Sequence, residues 1–290
     1  MIVDCHAHIA SQMTGFWQPR RFGRVFDRGA ERQAFPPSFD PVASPAEVLL
    51  AHMDWAGVDR AHLVQHHLYG DQNQAVLDAV RRWPDRFVGF AYLGAFDQPD
   101  TPDHLERLID MGMAGLKVEL ASTLRLRPTF RFDGDLEMRV WERLDELGRP
   151  WVLDINDATA DELAALRVAL ASLKRSRFVI CHVGWPATPG WQERALLAKH
   201  PRGWVDLASL PQTAGFEAEY PWPGAQHHVK WAVEQFGAER VMWGTDYPGA
   251  LNYGTYKQHV AYIRRHCDFL SVDQKALVLG GAAEGLLTGL

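Results

Sequence analysis

The amino-acid sequence predicts an α/β fold, a closed (β/α)8 barrel of the TIM type, in one domain that spans residues 1–290. Short runs of apolar and β-branched residues alternate with longer helical patterns, and the alternation repeats eight times along the chain. This order of elements is typical of a closed parallel barrel. A doubly wound open sheet is the alternative, but it is disfavoured because no glycine-rich phosphate loop follows the first strand.

The first strand lies in the apolar run at the start of the chain, which leads into His6 and His8. A long irregular loop insertion at about residues 9–43 follows it, with several prolines and glycines. A connection of this length inside a domain is usually functional or disordered. Ser44 should then act as the N-cap of a helix that has Pro45 in its first turn and ends at Gly57.

The other predicted elements follow in regular order. The predicted strands are 60–65, 86–93, 115–120, 151–155, 178–181, 204–208 and 241–244. The predicted helices are 73–82, 101–111 with Asp100 as its cap, 136–147, 160–173, 191–199 and 225–236. The residues after the eighth strand should be mainly helical.

Composition restricts the classes of function. Hydrophobic residues make up 47% and charged residues 23% of the chain, which is a normal globular balance. The net charge of −6, without a sustained basic run, argues against a nucleic-acid partner. No signal peptide or membrane span is expected. The widely spaced Cys5, Cys181 and Cys267 should be reduced thiols in a cytoplasmic protein.

Residues suited to metal binding and proton transfer fall at the carboxyl ends of the predicted strands. In a barrel these ends converge on one mouth. The residues are His6 and His8 after strand one, Lys117 and Glu119 on strand four, Asp154 on strand five, His182 after strand six and Asp246 after strand eight. Imidazoles and carboxylates bind divalent cations such as zinc, which activate water or polarise a carbonyl. Each residue alone is equally compatible with a structural role, but the whole set favours a functional site.

A second group of residues could bind the substrate at this mouth. Trp17 and Arg21 lie in the insertion and suit an aromatic or anionic substrate, although a solvated surface loop is the alternative. His66, Trp185 and Tyr247 follow strands two, six and eight, and Glu119 lies on strand four. Packing of the aromatic residues against barrel helices explains them equally well.

Three motifs resemble the amidohydrolase-related branch of the amidohydrolase superfamily. They are Asp4-Cys5-His6-Ala7-His8, the segment from Phe178 to Pro186 that contains His182-Val183-Gly184-Trp185-Pro186, and Trp243-Gly244-Thr245-Asp246-Tyr247-Pro248. The resemblance extends through the whole chain, and the motif pattern is nearest to lactonase-like members. It is specific for the fold and superfamily but less so for the reaction, because the branch includes lactonases, other hydrolases, decarboxylases and hydratases.

The resemblance implies roles for individual residues. His6 and His8 would be metal ligands, Asp246 a ligand or base, and His182 a group that polarises the substrate or transfers a proton. Metal-dependent decarboxylases and many hydrolases of the branch carry a further histidine on strand five, where this chain has Asp154. A carboxylate can replace imidazole as a zinc or manganese ligand, so a site for one divalent ion is retained. Some lactone hydrolases of the branch lack that histidine and work without a metal.

Lys117 has two interpretations within the resemblance. It corresponds to the carboxylated lysine of binuclear relatives, or it is a cation that binds the substrate. The second interpretation explains the residue as well as the first.

The first functional hypothesis is a lactonase-like hydrolase of a small cyclic ester or amide. Asp246 would activate water, and His182 with Lys117, or a metal on His6 and His8, would polarise the carbonyl. The alternative is a metal-dependent non-oxidative decarboxylase of a small aromatic or unsaturated acid, disfavoured because strand five lacks its histidine. A non-catalytic barrel is a minor alternative, since the set of site residues is complete. The expected partner is a small-molecule substrate, and a homodimer stays open as the assembly.

Overall fold

The computed structural model describes residues 1–213 and 218–289. The strands are β1 (Val3–Ala7), β2 (Gln18–Pro19), β3 (Arg24–Asp27), β4 (Ala30–Gln33), β5 (Arg60–Leu63), β6 (Phe87–Ala91), β7 (Gly115–Glu119), β8 (Trp151–Asp154), β9 (Phe178–Ile180), β10 (Gly203–Asp206) and β11 (Val241–Met242). The α-helices are α1 (Ala46–Ala56), α2 (Asn73–Arg82), α3 (Thr101–Asp110), α4 (Leu120–Leu126), α5 (Asp135–Glu146), α6 (Ala160–Ser172), α7 (Trp191–Ala195), α8 (Leu210–Thr213), α9 (Pro223–Phe236), α10 (Tyr256–Ala261), α11 (Val272–Ala276) and α12 (Ala282–Leu287). Short turns of tighter or wider helix lie at Cys181–Gly184, Leu196–Lys199, Ala238–Arg240, Gly249–Asn252, Tyr262–His266 and Leu277–Gly281.

Eight parallel strands of the described chain, β1 and β5 to β11, form one sheet in which each strand pairs with the next along the sequence. The sheet closes on itself through backbone hydrogen bonds. The N–H of Cys5 donates to the carbonyl of Trp243 at 3.1 Å, and the N–H of Asp246 donates to the carbonyl of His6 at 2.8 Å. The predicted barrel is therefore confirmed. Among residues 1–213 and 218–289, no helix is both long enough and apolar enough to cross a membrane.

The inside of the barrel below the mouth is mainly apolar, with the buried His62 ring 5.6 Å from that of Phe90. One cluster of buried side chains fills it, consisting of Val3, Cys5, Val64, Phe90, Val152, Val179, Cys181 and Met242, with Ala282, Ala283 and Leu286 of α12 packed against them. A larger apolar cluster lies between the strands and the surrounding helices. The polar residues at the strand ends consequently lie next to this apolar interior, where the dielectric constant is low and charges interact strongly.

A register shift in β1 determines which of its residues face the mouth. Val3 and Cys5 pack inside the barrel, whereas Ala7 packs outside among the helices. The pairing with β5 shifts between Asp4 and Ala7, as at a β-bulge. Because the bulge changes the phase of the alternation, His6 and His8 both face inward above Cys5.

The insertion at about 9–43 is more regular than predicted. It contains the antiparallel sheet β2–β3–β4, which packs on its own apolar cluster of Ala10, Val25, Ala34, Phe35, Val42 and Tyr69. These strands lack the alternation of buried and exposed residues by which a strand is predicted, because β4 is exposed throughout and β2 has only two residues. The prediction of an irregular segment was wrong for this part.

Asp100 occupies the N-cap position of α3 as predicted, although its side chain makes no capping hydrogen bond. The predicted cap at Ser44 was wrong, because Pro45 occupies the N-cap position of α1. Ser44 instead forms a backbone bridge with Ala10, donating and accepting at 2.8 and 2.9 Å. This bridge holds the end of the insertion against its beginning. The predicted helix end at Gly57 is confirmed, with φ at 72°.

The seam between the first and last strands is pinned by Asp4, whose side chain is fully buried. Its carboxylate accepts hydrogen bonds from the N–H of Thr245 at 2.9 Å, the Thr245 hydroxyl at 2.6 Å, the Tyr256 hydroxyl at 2.7 Å and the N–H of His6 at 3.1 Å. Hydrogen bonds to a buried charged group are each worth about 1.5–3 kcal/mol. Asp4 therefore joins the two ends of the sheet and α10.

We predict that Asp4→Ala lowers the free energy of unfolding by about 2–4 kcal/mol, because the buried donors of Thr245 and Tyr256 lose their acceptor. Urea unfolding followed by circular dichroism measures this change. Asp59→Ala is a matched control, since Asp59 also binds the start of β1, through the N–H of Ile2 at 2.7 Å, but is exposed. The control should lose about 1 kcal/mol or less. Equal losses in the two variants would contradict the role of the seam.

Candidate active site

The mouth of the barrel brings together the seven residues that strand position predicted to converge. They are His6, His8, Lys117, Glu119, Asp154, His182 and Asp246. The His6 ring lies in the middle of the group, with its centroid 5.1 Å from that of His8 and 4.7 Å from that of His182. The assignment of roles to these residues stays a prediction at this point.

The three histidines share one mode of anchoring. Each ring is held through Nδ1 by an oxygen atom of the barrel. His6 Nδ1 lies 2.9 Å from Oδ2 of Asp206, His8 Nδ1 lies 2.9 Å from the carbonyl of Val64, and His182 Nδ1 lies 3.0 Å from the carbonyl of Ala208. Since carboxylate and carbonyl oxygens only accept, Nδ1 carries the proton in each ring. Nε2 of every ring is therefore the atom presented to the mouth.

Two of these Nε2 atoms point at the same carboxylate oxygen. Oδ1 of Asp246 lies 2.9 Å from Nε2 of His8 and 3.9 Å from Nε2 of His6. Because a neutral imidazole nitrogen and a carboxylate oxygen are both lone-pair donors, a ring proton or a shared cation must lie between atoms this close. The ligand atoms of His6, His8 and Asp246 all lie within 4.8 Å of one another.

The chemistry of this set fits a divalent metal. Imidazole nitrogen and carboxylate oxygen are ordinary ligands of zinc. Histidine ligands usually donate their other ring N–H to a carboxylate or a carbonyl, as His6 and His8 do here. Asp154 lies outside the set, beside Lys117 and His182, so its predicted role as a ligand has no support in this geometry.

Backbone strain is concentrated at the residues around the mouth. His182, Ser209 and Asp246 have φ values of 57°, 60° and 69°, in the left-handed region that residues other than glycine rarely adopt. Hydrogen bonds hold two of them: the N–H of His182 donates to Oδ1 of Asp206 at 2.7 Å, and the N–H of Asp246 to the carbonyl of His6 at 2.8 Å. The Ser209 hydroxyl donates to Oδ2 of Asp246. This backbone turns the functional side chains back over the barrel.

A second charged group consists of Asp154, Lys117 and His182. Oδ2 of Asp154 is 3.5 Å from Nε2 of His182 and 4.0 Å from Nζ of Lys117. Burial alone would lower the pKa of His182, but its hydrogen bond with Asp154 and the nearby Asp206 carboxylate raise that pKa to about 9. Burial would raise the pKa of Asp154, but Lys117 and His182 outweigh it and lower that pKa. His182 is thus an imidazolium at neutral pH.

Lys117 is almost fully buried, and its Nζ also donates to Sγ of Cys181 at 3.1 Å. Burial would lower the pKa of this lysine, but Cys181 and Asp154 raise it. Carboxylation of lysine requires the neutral amine. The ion pair with Asp154 fits the interpretation of Lys117 as a cation, and both interpretations of this residue stay predictions.

Aromatic and acidic side chains form one wall of the mouth. Trp17 reaches over from the insertion, with its ring 6.3 Å from that of His66, and the His66 ring lies 4.9 Å from His8. Oε2 of Glu119 lies 3.8 Å from Nδ1 of His66 and has no hydrogen-bond partner among the described residues. Burial and the neighbouring Asp154 raise the pKa of Glu119 to about 7. On the opposite side, the Trp185 ring lies 5.4 Å from His182.

Two predicted substrate-binding residues are not brought to the mouth. Arg21 is three-quarters exposed and forms an ion pair with Asp40. Tyr247 is fully buried outside the strand wall, with its ring 5.5 Å from His52 of α1 and 6.0 Å from Tyr256 of α10. Because neighbouring residues point to opposite sides, Tyr247 turns away when Asp246 faces the mouth.

Two residues that support the site were missed. Asp206 is buried and accepts from Nδ1 of His6, the N–H of His182 and the N–H of Ala208, the last at 3.1 Å. Ser209 binds Asp246. The available signal was a carboxylate inside the apolar predicted strand 204–208, because aspartate is rarely buried unless it is paired.

A family model described as Amidohydrolase matches residues 3–288, nearly the whole chain. The chain belongs to the amidohydrolase family. This confirms the family predicted from the three motifs.

Individual relatives of this amidohydrolase cover its full length. It is 26% identical to an L-fucono-1,5-lactonase of Burkholderia ambifaria over an alignment of 300 positions, which covers 97% of this chain and 93% of the relative. A solved amidohydrolase of Burkholderia multivorans with bound zinc has a TM-score of 0.74 at 16% identity, with 99% of both chains covered. A probable 2-pyrone-4,6-dicarboxylic acid hydrolase of Acinetobacter baumannii with bound citric acid has a TM-score of 0.72 at 18% identity, with 99% of this chain and 98% of that chain covered. The structural likeness supports the same barrel fold.

We predict that Asp206→Asn weakens zinc binding about 10–100-fold, because the amide cannot accept from both His6 and His182 in the native geometry. Competition with a chromophoric chelator measures the affinity. Asp145→Asn is a matched control, since Asp145 accepts from the backbone N–H groups of Lys174, Arg175 and Ser176, before β9 at the other end of the barrel. An unchanged affinity in Asp206→Asn, or an equal loss in the control, would contradict this role.

Proposed function

We propose that this amidohydrolase hydrolyses a small, neutral lactone. The observation that carries the proposal is the pairing of two groups of opposite charge across one mouth. Both lie beside His6: Oδ1 of Asp246 is 3.9 Å from Nε2 of His6, and the ring of the His182 imidazolium is centred 4.7 Å from the His6 ring. Hydrolysis of a cyclic ester needs a group that accepts a proton from water and a group that stabilises negative charge on oxygen.

Asp246 is the group that accepts the proton. Burial would raise the pKa of its carboxyl, but the hydrogen bond with His8 and the nearby histidines lower that pKa, so the carboxylate stays ionised at neutral pH. Ser209 and His8 hold its two oxygens in place. As the water oxygen bonds to the carbonyl carbon, its proton passes to Asp246.

His182 acts on the oxygens of the ester. Its Nδ1 is fixed by the carbonyl of Ala208, so the proton on Nε2 points into the mouth. This proton hydrogen-bonds to the carbonyl oxygen as negative charge develops there, and then passes to the ring oxygen when the ring C–O bond breaks. The product is an open-chain hydroxy acid.

One divalent ion, zinc or manganese, would be held by His6, His8 and Asp246. When bound, such an ion acts as a Lewis acid towards water or the carbonyl. The zinc-bound amidohydrolase of Burkholderia multivorans supports this part of the proposal. The role of Asp154 as a further ligand stays a prediction, since it lies with Lys117 and His182.

The charges around the mouth favour a neutral substrate that carries hydroxyl groups. Glu119 offers an unpartnered carboxyl oxygen, while Trp17 and Trp185 offer apolar ring faces. The cations of this region already have carboxylate partners: Asp40 pairs with Arg21, Asp27 with both Arg32 and Arg125, and Asp154 with Lys117. An anionic substrate would compete with these aspartates for their cations and would also meet Glu119. The similarity to an L-fucono-1,5-lactonase, named for a neutral sugar lactone, supports this substrate class.

The same charges disfavour the decarboxylase alternative. A substrate carboxylate would approach Glu119 and Asp154, and Asp154 occupies the strand position where the metal-dependent decarboxylases of the branch carry histidine. The predicted homodimer plays no part in these roles and stays a prediction.

We predict hydrolysis of neutral sugar lactones, with slower hydrolysis of lactones that bear a carboxylate. Proton release followed with a pH indicator measures both. Asp246→Asn and His182→Gln should each lower kcat at least about 100-fold, because proton transfer and charge stabilisation are lost. Asp268→Asn is the control, since that side chain is exposed at the surface. Release of carbon dioxide from aromatic acids without lactone hydrolysis would contradict the proposal.

Metal content is the second prediction for this function. We expect about one equivalent of zinc or manganese in the purified protein and its loss in a His6→Ala/His8→Ala variant, because two of three ligands are removed. Mass spectrometry of the dialysed proteins measures it. Asp154→Asn should retain the metal. Loss in that variant would instead make Asp154 a ligand, and retention in the double variant would rule out the proposed set.

A further inference from the structure

We infer that the floor of the mouth contains a second, thiophilic metal site made of His6, Cys181 and His182. A ring nitrogen of each histidine and Sγ of Cys181 lie within 4.8 Å of one another, and all three residues are buried. Nδ1 of both rings already has a hydrogen-bond partner, so Nε2 is the donor atom in each; at His182 the ion would replace the Nε2 proton that faces Asp154 at 3.5 Å. The set shares only His6 with the site of His6, His8 and Asp246.

The donor chemistry of the second site differs from that of the first. Two imidazoles and a thiolate suit soft or borderline ions such as Cd²⁺, Co²⁺ and Zn²⁺, whereas carboxylate oxygen suits harder ions such as Mn²⁺. Cys181 follows β9 and points up from the apolar interior of the barrel. Without the sulfur of Cys181, the set would consist of two histidines above apolar side chains.

Lys117 lies beside the thiol that would bind the metal. Burial raises the pKa of the Cys181 thiol well above its usual value, and the Lys117 ammonium at 3.1 Å from Sγ offsets only part of this effect. Metal binding requires the Cys181 thiolate and a neutral His182 ring, so the metal displaces a proton from each residue. The same ammonium repels a cation, and Asp154, 4.0 Å from Nζ and 3.5 Å from His182, offsets part of that repulsion.

Competition between the two sites follows from the shared His6. One Nε2 cannot bind two ions, so an ion at the second site removes a ligand from the first. It also occupies Nε2 of His182. If His182 donates a proton in the proposed lactone hydrolysis, a thiophilic ion inhibits that reaction; this step rests on the proposed function, whereas binding at the second site does not.

Titration of the metal-free protein with Co²⁺ and with Cd²⁺ tests the binding. We expect a thiolate-to-metal charge-transfer band in the near-ultraviolet that is absent in Cys181→Ser, with Cd²⁺ affinity at least about 100-fold lower in that variant. Cys5→Ser is the matched control, because Cys5 lies in the same apolar interior but outside the donor set. His8→Ala should retain the band, since His8 belongs only to the first site.

Three results would overturn the inference: no charge-transfer band in the wild-type protein, a band that persists in Cys181→Ser, or loss of the band in Cys5→Ser with native circular dichroism. The kinetic arm compares Cd²⁺ inhibition of lactone hydrolysis in the wild type and in Cys181→Ser, each relative to its own rate without Cd²⁺. A band without greater inhibition of the wild type would contradict the competition. Absence of any lactone hydrolysis with a normal band would contradict the proposed function and leave the second metal site supported.

Discussion

Hydrogen bonds between β1 and the segment after β11 close the barrel, and the same bonds build the reactive group of side chains. The N–H of Asp246 donates to the carbonyl of His6, and the N–H of His8 donates to the carbonyl of Tyr247 at 2.8 Å. Asp4 ties the same two segments together from outside the strand wall. Because His6, His8 and Asp246 lie on the two sides of this closure, their relative positions depend on it. A barrel that opened at this seam would lose the arrangement of these three side chains before it lost its helices.

The mouth holds several buried charged side chains, and their burial lowers the stability of the fold unless they are paired. Several ionisable residues share a buried volume above an apolar floor, where unpaired charges are costly. The structure pairs them in opposite signs, as in Asp154 with Lys117 and His182, and anchors the rings through Nδ1. The left-handed backbone at His182, Ser209 and Asp246 adds strain to that cost. Functional sites commonly contain such destabilising features, and the stability of the rest of the fold offsets their free-energy cost.

Strand position was sufficient to predict the barrel and the meeting of His6, His8, His182 and Asp246, because parallel strands deliver their carboxyl ends to one face. It was not sufficient for residues whose role depends on hydrogen bonds across the barrel. Asp206 is separated from His6 by 200 residues, and no local pattern links them. Tyr247 was misplaced because the prediction ignored that its neighbour Asp246 already faces inward. The bulge in β1, which turns His6 and His8 inward, arises in the pairing of β1 with β5. The sequence of β1 alone does not reveal it.

The small sheet β2–β3–β4 carries Trp17 to the mouth while packing mainly on its own apolar cluster. Its links to the barrel include the bridge between Ala10 and Ser44, the hydrogen bond from Asn252 to the carbonyl of Ala34 at 2.7 Å and the ion pair between Asp27 and Arg125 at 2.7 Å. The side chains of this sheet that take no part in these links, such as those of the exposed strand β4, can therefore change without altering the strands that carry His6 and His8. Such an architecture allows the side chain that the small sheet places at the mouth to vary in evolution independently of the residues at the strand ends.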